Sequence, residues 1–264
     1  KLRCRAELVF LAHNLRFLRP GGELAMILPA AFINGHDFEP FRDWLLNTHT
    51  VTKVIQLPAS AFSRADVHAF AVIIRKSPPP AQHAVQLLDI SRTDDPTGAQ
   101  RIARHQGIVR LDPAFHRFVA APFRAVTLAD IGAKISRGKP VSDLRDVGVR
   151  FIHTTDFSCY TLGSNLKTSS RGCLPELPLA QAGDILMGRI GRSCFNQVLR
   201  VQQGKIHYSD CVYKIEVPQL HQEMVLRSLV NERGVRWRQT RLHGSTVNLL
   251  SKRDLLQHPI WMER

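Results

Sequence analysis

Cysteine is scarce and poorly spaced for structural use: Cys4, Cys159, Cys173, Cys194 and Cys211 make an odd total of five, with no C-x-x-C pair. This excludes a disulfide framework, and the lack of Cys/His spacing suited to zinc excludes a zinc module. The cysteines are expected to be reduced, mostly buried thiols of a cytoplasmic protein. Twelve histidines are present, none at i, i+4 to another, so no metal site is expected. No apolar run approaches the length of a membrane span, and neither a starting Met nor a signal-peptide core is present. No membrane partner follows from such a chain, which starts abruptly at Lys1 and reads as a fragment. Two phosphate loops are also missing, G-x-G-x-x-G and G-x-x-x-x-G-K-[ST].

What is present is a globular composition with an uneven charge. Hydrophobic residues make up 44% of the 264 positions, enough for a substantial core. The net charge is +14. Residues 1–100 hold 11 Lys/Arg against 9 Asp/Glu, whereas residues 101–264 hold 25 against 13. Charge concentrated in one half points to an anionic partner, nucleic acid before others.

Along the first part, Leu8, Leu11, Leu15 and Leu18 share one face of a helix over Glu7–Arg19, which Pro20-Gly21-Gly22 stops. Glu23–Leu28 then reads as a strand buried on both faces, His36–Asn47 as an amphipathic helix, and Val51–Leu57 and His68–Arg75 as two more strands. Ala84–Ile90 would add an edge strand before the polar stretch Ser91–Gly98. This order suits the closing half of a doubly wound α/β sheet, whose last two strands can pair antiparallel at the edge. A domain boundary is expected between about residues 92 and 122. Beyond it, short β-like runs (Val149–His153, Asp184–Met187, Asn196–Val201, Val212–Val217) alternate with Gly, Pro and Ser turns. One helix is expected from about Gln219 to Arg233, with Leu220, Met224, Leu226, Leu229 and Val230 inward.

Chemistry is thinly marked. Pro20-Gly21-Gly22 lies after a helix and before a strand, the wrong polarity for a phosphate at a helix N-terminus. Gly188-Arg189-Ile190-Gly191-Arg192 follows a strand and precedes another, so no helix dipole faces a bound anion there. Two arginines on a Gly-bent hairpin suit a DNA backbone or a guanine edge; the plain alternative is a tight turn with solvated arginines. Ser136-Arg137-Gly138-Lys139-Pro140 repeats the theme. Arg200, Lys205 and the run Arg233, Arg236, Arg238, Arg241 add charge, the run equally readable as the solvated side of a helix end. His243-Gly244-Ser245-Thr246 either offers small donors to phosphate or makes a turn. His153 and Asp156 lie together without a nucleophile or a paired carboxylate, which favours a structural role, and no catalytic residue is assigned.

In order, LRFLRPGGELAMILPAAFI, VTKVIQLPASAF and HAFAVIIRK resemble the segments after the catalytic motif in the adenine-N6 DNA methyltransferases of restriction–modification systems. ISRGKPVSDLRDVGVRFIHTTDF, AGDILMGRIGRSCFNQVL, HYSDCVYKIEV and HGSTVNLLSKRDLLQHPI resemble the target-recognition domain of type I specificity subunits. The resemblance implies an α/β chain: the closing half of an S-adenosylmethionine-methyltransferase-like sheet over residues 1–100, then an α+β recognition domain over residues 120–264. Such enzymes bind S-adenosylmethionine through an early Gly-rich turn and hold the flipped adenine with an (Asn/Asp)-Pro-Pro-(Tyr/Phe) loop. Neither motif occurs here, so the isolated chain is expected to be inactive and to bind the cofactor poorly.

The implied partner is double-stranded DNA, with an upstream catalytic half or methyltransferase and restriction subunits. The DNA-binding candidates are Arg137, Lys139, Arg189, Arg192 and Asn196, with Lys205 and Ser245 added. Two alternatives stand beside this reading: one half of a split methyltransferase completed by a partner chain, and a remnant that binds nucleic acid or protein without sequence preference.

Overall fold

The computed structural model describes residues 5–64, 67–90, 99–119 and 126–261. Cys4 and the polar stretch Ser91–Gly98 lie outside the described residues. The chain is mixed α/β and divides into two compact units, residues 1–121 with 243–246, and residues 122–242 with 247–264.

In the first unit, α1 (Ala6–Phe17) leads to β1 (Glu23–Pro29). The Lys76 ammonium donates to the Arg16 and Leu18 carbonyls, at 3.0 and 2.6 Å, a cation at the negative end of α1. A short α2 (Ala30–Asn34) ends at Gly35, and the helix expected from His36 opens as a 3₁₀ turn (His36–Phe38) and becomes α-helical at α3 (Glu39–Thr48). Then come β2 (Thr50–Gln56), β3 (Ala69–Arg75), β4 (Ala84–Asp89), β5 (Gln100–Ala103), α4 (Arg104–Val109) and α5 (Pro113–Val119).

The five strands form one mixed sheet in the order β1-β3-β2-β4-β5, with β2 and β4 parallel and the other pairs antiparallel. Two expectations change. β4 is interior, because β5 pairs along its outer side. β1 is not buried on both faces: Leu24, Met26 and Leu28 turn into the core, while alternation sends Ala25 and Ile27 to the other face, Ile27 54% exposed. Beneath the sheet, Arg42 is wholly enclosed and donates to the Phe32, Gly35, Ile108 and Val109 carbonyls, tying α2, α3 and α4 together.

The second unit is α+β. β6 (Val126–Thr127) pairs with Pro259–Ile260. Then follow β7 (Lys134–Arg137), α6 (Val141–Asp146), β8 (Phe151–Ile152), β9 (Ser164–Lys167), β10 (Leu179–Gln181), β11 (Ile185–Gly188), β12 (Val198–Gln203), β13 (Lys205–Tyr208) and β14 (Val212–Glu216). A five-stranded sheet has the order β7-β14-β11-β12-β9, and a three-stranded one the order β10-β13-β8. β11 is buried on both faces: Ile185 and Met187 meet Val225 and Leu229, and Leu186 meets Ile206 and Tyr208.

The expected helix over 219–233 is two helices, α7 (Gln222–Val230) and α8 (Glu232–Gln239). Asn231 divides them, its side chain accepting from the Gly234 amide at 2.7 Å as the N-cap of α8. Leu220 lies in the preceding turn and is 88% exposed, so it joins no core. The run of arginines is only half solvated: Arg233 and Arg236 are exposed, whereas Arg238 and Arg241 are buried. α9 (Lys252–Leu256) closes the unit, capped by Ser251. Of the four described cysteines, all free, only Cys194 is buried. That corrects the expectation of mostly buried thiols: Cys159 is exposed at the end of a 3₁₀ turn, and Cys173 and Cys211 are partly exposed.

Candidate nucleic-acid interface

Two chain segments far apart in sequence meet at the turn between β13 and β14. Arg137, exposed at the end of β7, lies opposite Tyr213 of β14. Gly138 then passes so close to β13 that a Cβ there would sit 1.8 Å from the Tyr208 carbonyl oxygen. Only glycine permits this approach. It brings Lys139 beside Ser209, with the Lys139 carbonyl accepting from the Asp210 amide at 2.8 Å.

From the other side, β11 delivers Arg189. Its amide donates to the Cys211 carbonyl, its guanidinium donates to the Asp210 carbonyl, both at 2.9 Å, and it lies 5.9 Å from the Tyr213 ring centre. Arg189 is therefore half-buried and tethered, while Arg192, Arg137 and Lys139 are exposed. Burial raises the Tyr213 phenol pKa, and the charges of Arg189 and Arg137 pull it back. Burial also pushes the Cys211 thiol up, with the Asp210 carboxylate adding to the effect.

The loop between β11 and β12 is held along its length. The Gly191 amide donates to the Asn248 carbonyl and the Asn248 side chain donates to the Arg192 carbonyl, each at 3.0 Å. Gly191 has φ 135°, a conformation that favours glycine. Cys194–Asn196 form a 3₁₀ turn, so the strand expected from Asn196 begins only at Val198. The Phe195 carbonyl accepts from the buried Arg238 guanidinium at 2.8 Å. Asn196 is exposed on this turn.

These bonds answer the question of a phosphate cradle. The Gly188 amide goes to the Gln197 carbonyl, Arg189 to Cys211 and Gly191 to Asn248, which leaves those donors spent. The paired glycines of the first unit are spent likewise: Gly21 donates to the Lys76 carbonyl and Gly22 to that of Arg19. Neither turn fits an S-adenosylmethionine site, and no step through that cofactor follows from these residues.

The remaining candidates fall elsewhere. Lys205 is exposed at the far end of β13, facing Gln181 of β10, three residues from Tyr208 and away from the Arg137–Arg189 cluster. Ser245 belongs with the first unit, where its hydroxyl accepts from the Ala31 amide at 3.3 Å and its carbonyl from the His68 amide at 2.8 Å. His153 and Asp156 make a cap, the Asp156 carboxylate accepting from the His153 amide at 2.7 Å. Sequence reasoning missed Asp210 and Asn248, whose role is visible only once the turns are assembled.

The sequence profile of the N-6 DNA methylase family matches residues 3–134. The chain belongs to the N-6 DNA methylase family. It is also similar to a protein of Methanocaldococcus jannaschii described as a type II restriction enzyme and methyltransferase, with 32% identity over 76 residues, 29% of this chain and 6% of that protein. Among solved structures it is similar to the type IIG restriction endonuclease BpuSI, at 9% identity and TM-score 0.41, covering 98% of this chain and 42% of that one. A type I restriction–modification methyltransferase subunit from Streptococcus thermophilus is similar at 26% identity and TM-score 0.31, over 39% of this chain and 22% of that one. The chain thus spans less than half the length of each of these relatives. No helix among the described residues is long and apolar enough to cross a membrane.

Proposed function

We propose that the chain is the DNA-engaging part of an adenine-N6 DNA methyltransferase of a restriction–modification system. The first unit supplies the closing strands of the methyltransferase sheet, and the second unit recognises the duplex. The observation that carries this reading is the gathering of Arg137, Lys139 and Arg189 on one turn, with Arg192 on the adjoining loop. Exposed cations on short, well-tethered loops neutralise phosphates, and a duplex bound there can be read at its base edges. Chemistry on the base, with S-adenosylmethionine, belongs to a catalytic portion that carries the missing motifs, alongside restriction or methyltransferase subunits.

Titrating a fluorescent duplex at several salt concentrations tests the reading. Three exposed cations, Arg137, Lys139 and Arg192, contribute a slope of about −2.7 in log K against log salt, from roughly −0.9 per neutralised phosphate. A slope near zero, or no binding at low salt, refutes it. A second reading, half of a split methyltransferase completed by a partner chain, is favoured by β1, whose outer edge has no partner strand among the described residues. That reading requires methylation of duplex DNA to appear only when the partner chain is added.

A further inference from the structure

Asp210 is an acid set among cations. Its amide is held by the Lys139 carbonyl and its own carbonyl by the Arg189 guanidinium, so Arg137, Lys139 and Arg189 all surround its turn. Its carboxylate is in no ion pair among the described residues and accepts only a weak hydrogen bond, from the Cys211 thiol at 3.7 Å. The backbone is tied down on both sides, and the side chain is partly open to solvent.

A carboxylate in this position works against phosphate binding, because it repels the backbone that the neighbouring cations attract. A surface meant only for backbone contact would gain from replacing it. An acceptor-only group is useful where the duplex offers donors, and in the major groove those are the amino groups of cytosine and adenine. The cations and the acid thus divide the labour: phosphates are held by the former, and a base edge with an amino group is selected by the latter.

We infer that Asp210 is a specificity-determining residue that accepts a hydrogen bond from the exocyclic amino group of one cytosine or adenine in the bound duplex. The inference rests on the proposed DNA recognition, and it makes an unusual demand. Removing Asp210 should strengthen binding to arbitrary duplex and at the same time weaken the preference among sequences.

The experiment is selection of the full chain on a randomised duplex pool, with sequencing of the bound fraction, for the wild type, Asp210→Ala and Asp210→Asn. Affinity for one fixed arbitrary duplex is measured alongside. The wild type is expected to enrich cytosine or adenine at one position by about 5- to 150-fold, the range for one good contact to a base edge. Asp210→Ala should flatten that position alone and bind the arbitrary duplex several-fold more tightly. Asp210→Asn is nearly isosteric, preserving the turn, and should change the preferred base there because the amide adds a donor. An unchanged preference in both variants overturns the inference, as does a uniform loss of affinity with no change in preference, and as does a wild type that binds without selecting. A wild type that binds no duplex at all overturns the proposed function and this inference with it.

Discussion

Arg238 allows the second unit to be tested from within. Its guanidinium is fully enclosed and meets no carboxylate among the described residues. It donates to the Phe195 carbonyl at 2.8 Å and lies 3.2 Å from the His258 ring. Burial pushes its pKa down, yet an arginine keeps its charge. Two opposing effects decide what a substitution does. Arg238→Ala strips the Phe195 carbonyl of its donor, costing about 1–3 kcal/mol, and leaves a cavity costing about 2–3 kcal/mol more. Relief of the buried charge's desolvation offsets part of this. The net loss should be about 2–4 kcal/mol. Arg238→Met fills most of the same volume and relieves the same desolvation, so it should lie within about 1 kcal/mol of the wild type. Urea unfolding followed by the fluorescence of Trp237 and Trp261, which flank His258, reads both variants. If Arg238→Met were as damaging as Arg238→Ala, the filled volume would not be what matters at this position; if Arg238→Ala cost less than about 0.5 kcal/mol, neither packing nor the bond to Phe195 would be what holds this side chain.

Other consequences follow from the same geometry. Arg192→Ala should reduce the salt slope of DNA binding by about 0.9 and leave stability within about 0.5 kcal/mol, whereas Arg189→Ala should also lower stability by about 1 kcal/mol through its lost bond to the Asp210 carbonyl. Gly138→Ala should cost about 1–3 kcal/mol and weaken DNA binding, because the added methyl meets the backbone of Tyr208; unchanged unfolding and affinity would contradict the close approach. Burial and the Arg238 charge hold His258 well below its usual pKa, so the unfolded chain takes up a proton that the folded one refuses. Its contribution is complete above about pH 6.5 and is lost as the pH falls, by up to about 1.4 kcal/mol per unit, a slope that should be smaller in His258→Gln unfolding curves. Burial raises the Cys194 thiol to about 11, so mass spectrometry after brief iodoacetamide treatment at pH 8 should find Cys159 modified and Cys194 intact.

The strands of the first unit were legible because apolar runs such as ELAMIL and AFAVIIR are bounded by Gly, Pro and charged residues. Their order was not. Whether β4 is an edge depends on β5, a four-residue strand whose local pattern is too short to announce a partner. In the second unit, the loops bearing Arg137 and Arg189 stood out by their glycines and charge, but the tethers did not. Asp210 lies 21 residues after Arg189, and Asn248 lies 56 after Arg192. Long-range pairing of that kind leaves no local periodicity to read. The four arginines from Arg233 to Arg241, in α8 and just beyond it, illustrate the opposite difficulty, since charge alone left a solvated face as an equal reading where two of the four are packed against Trp237 or His258.

The loop from Gly188 to Arg192 spends the amides of Gly188, Arg189 and Gly191 within the fold. It therefore enters any complex already ordered, with little chain entropy left to surrender at the moment of contact. In the free protein, the amide hydrogens of Gly188, Arg189 and Gly191 should exchange with solvent slowly for a surface loop. Association should then proceed without the large negative heat-capacity change that accompanies folding on binding. Discrimination would come from how well a rigid surface fits a given duplex, with the DNA rather than the protein doing the bending.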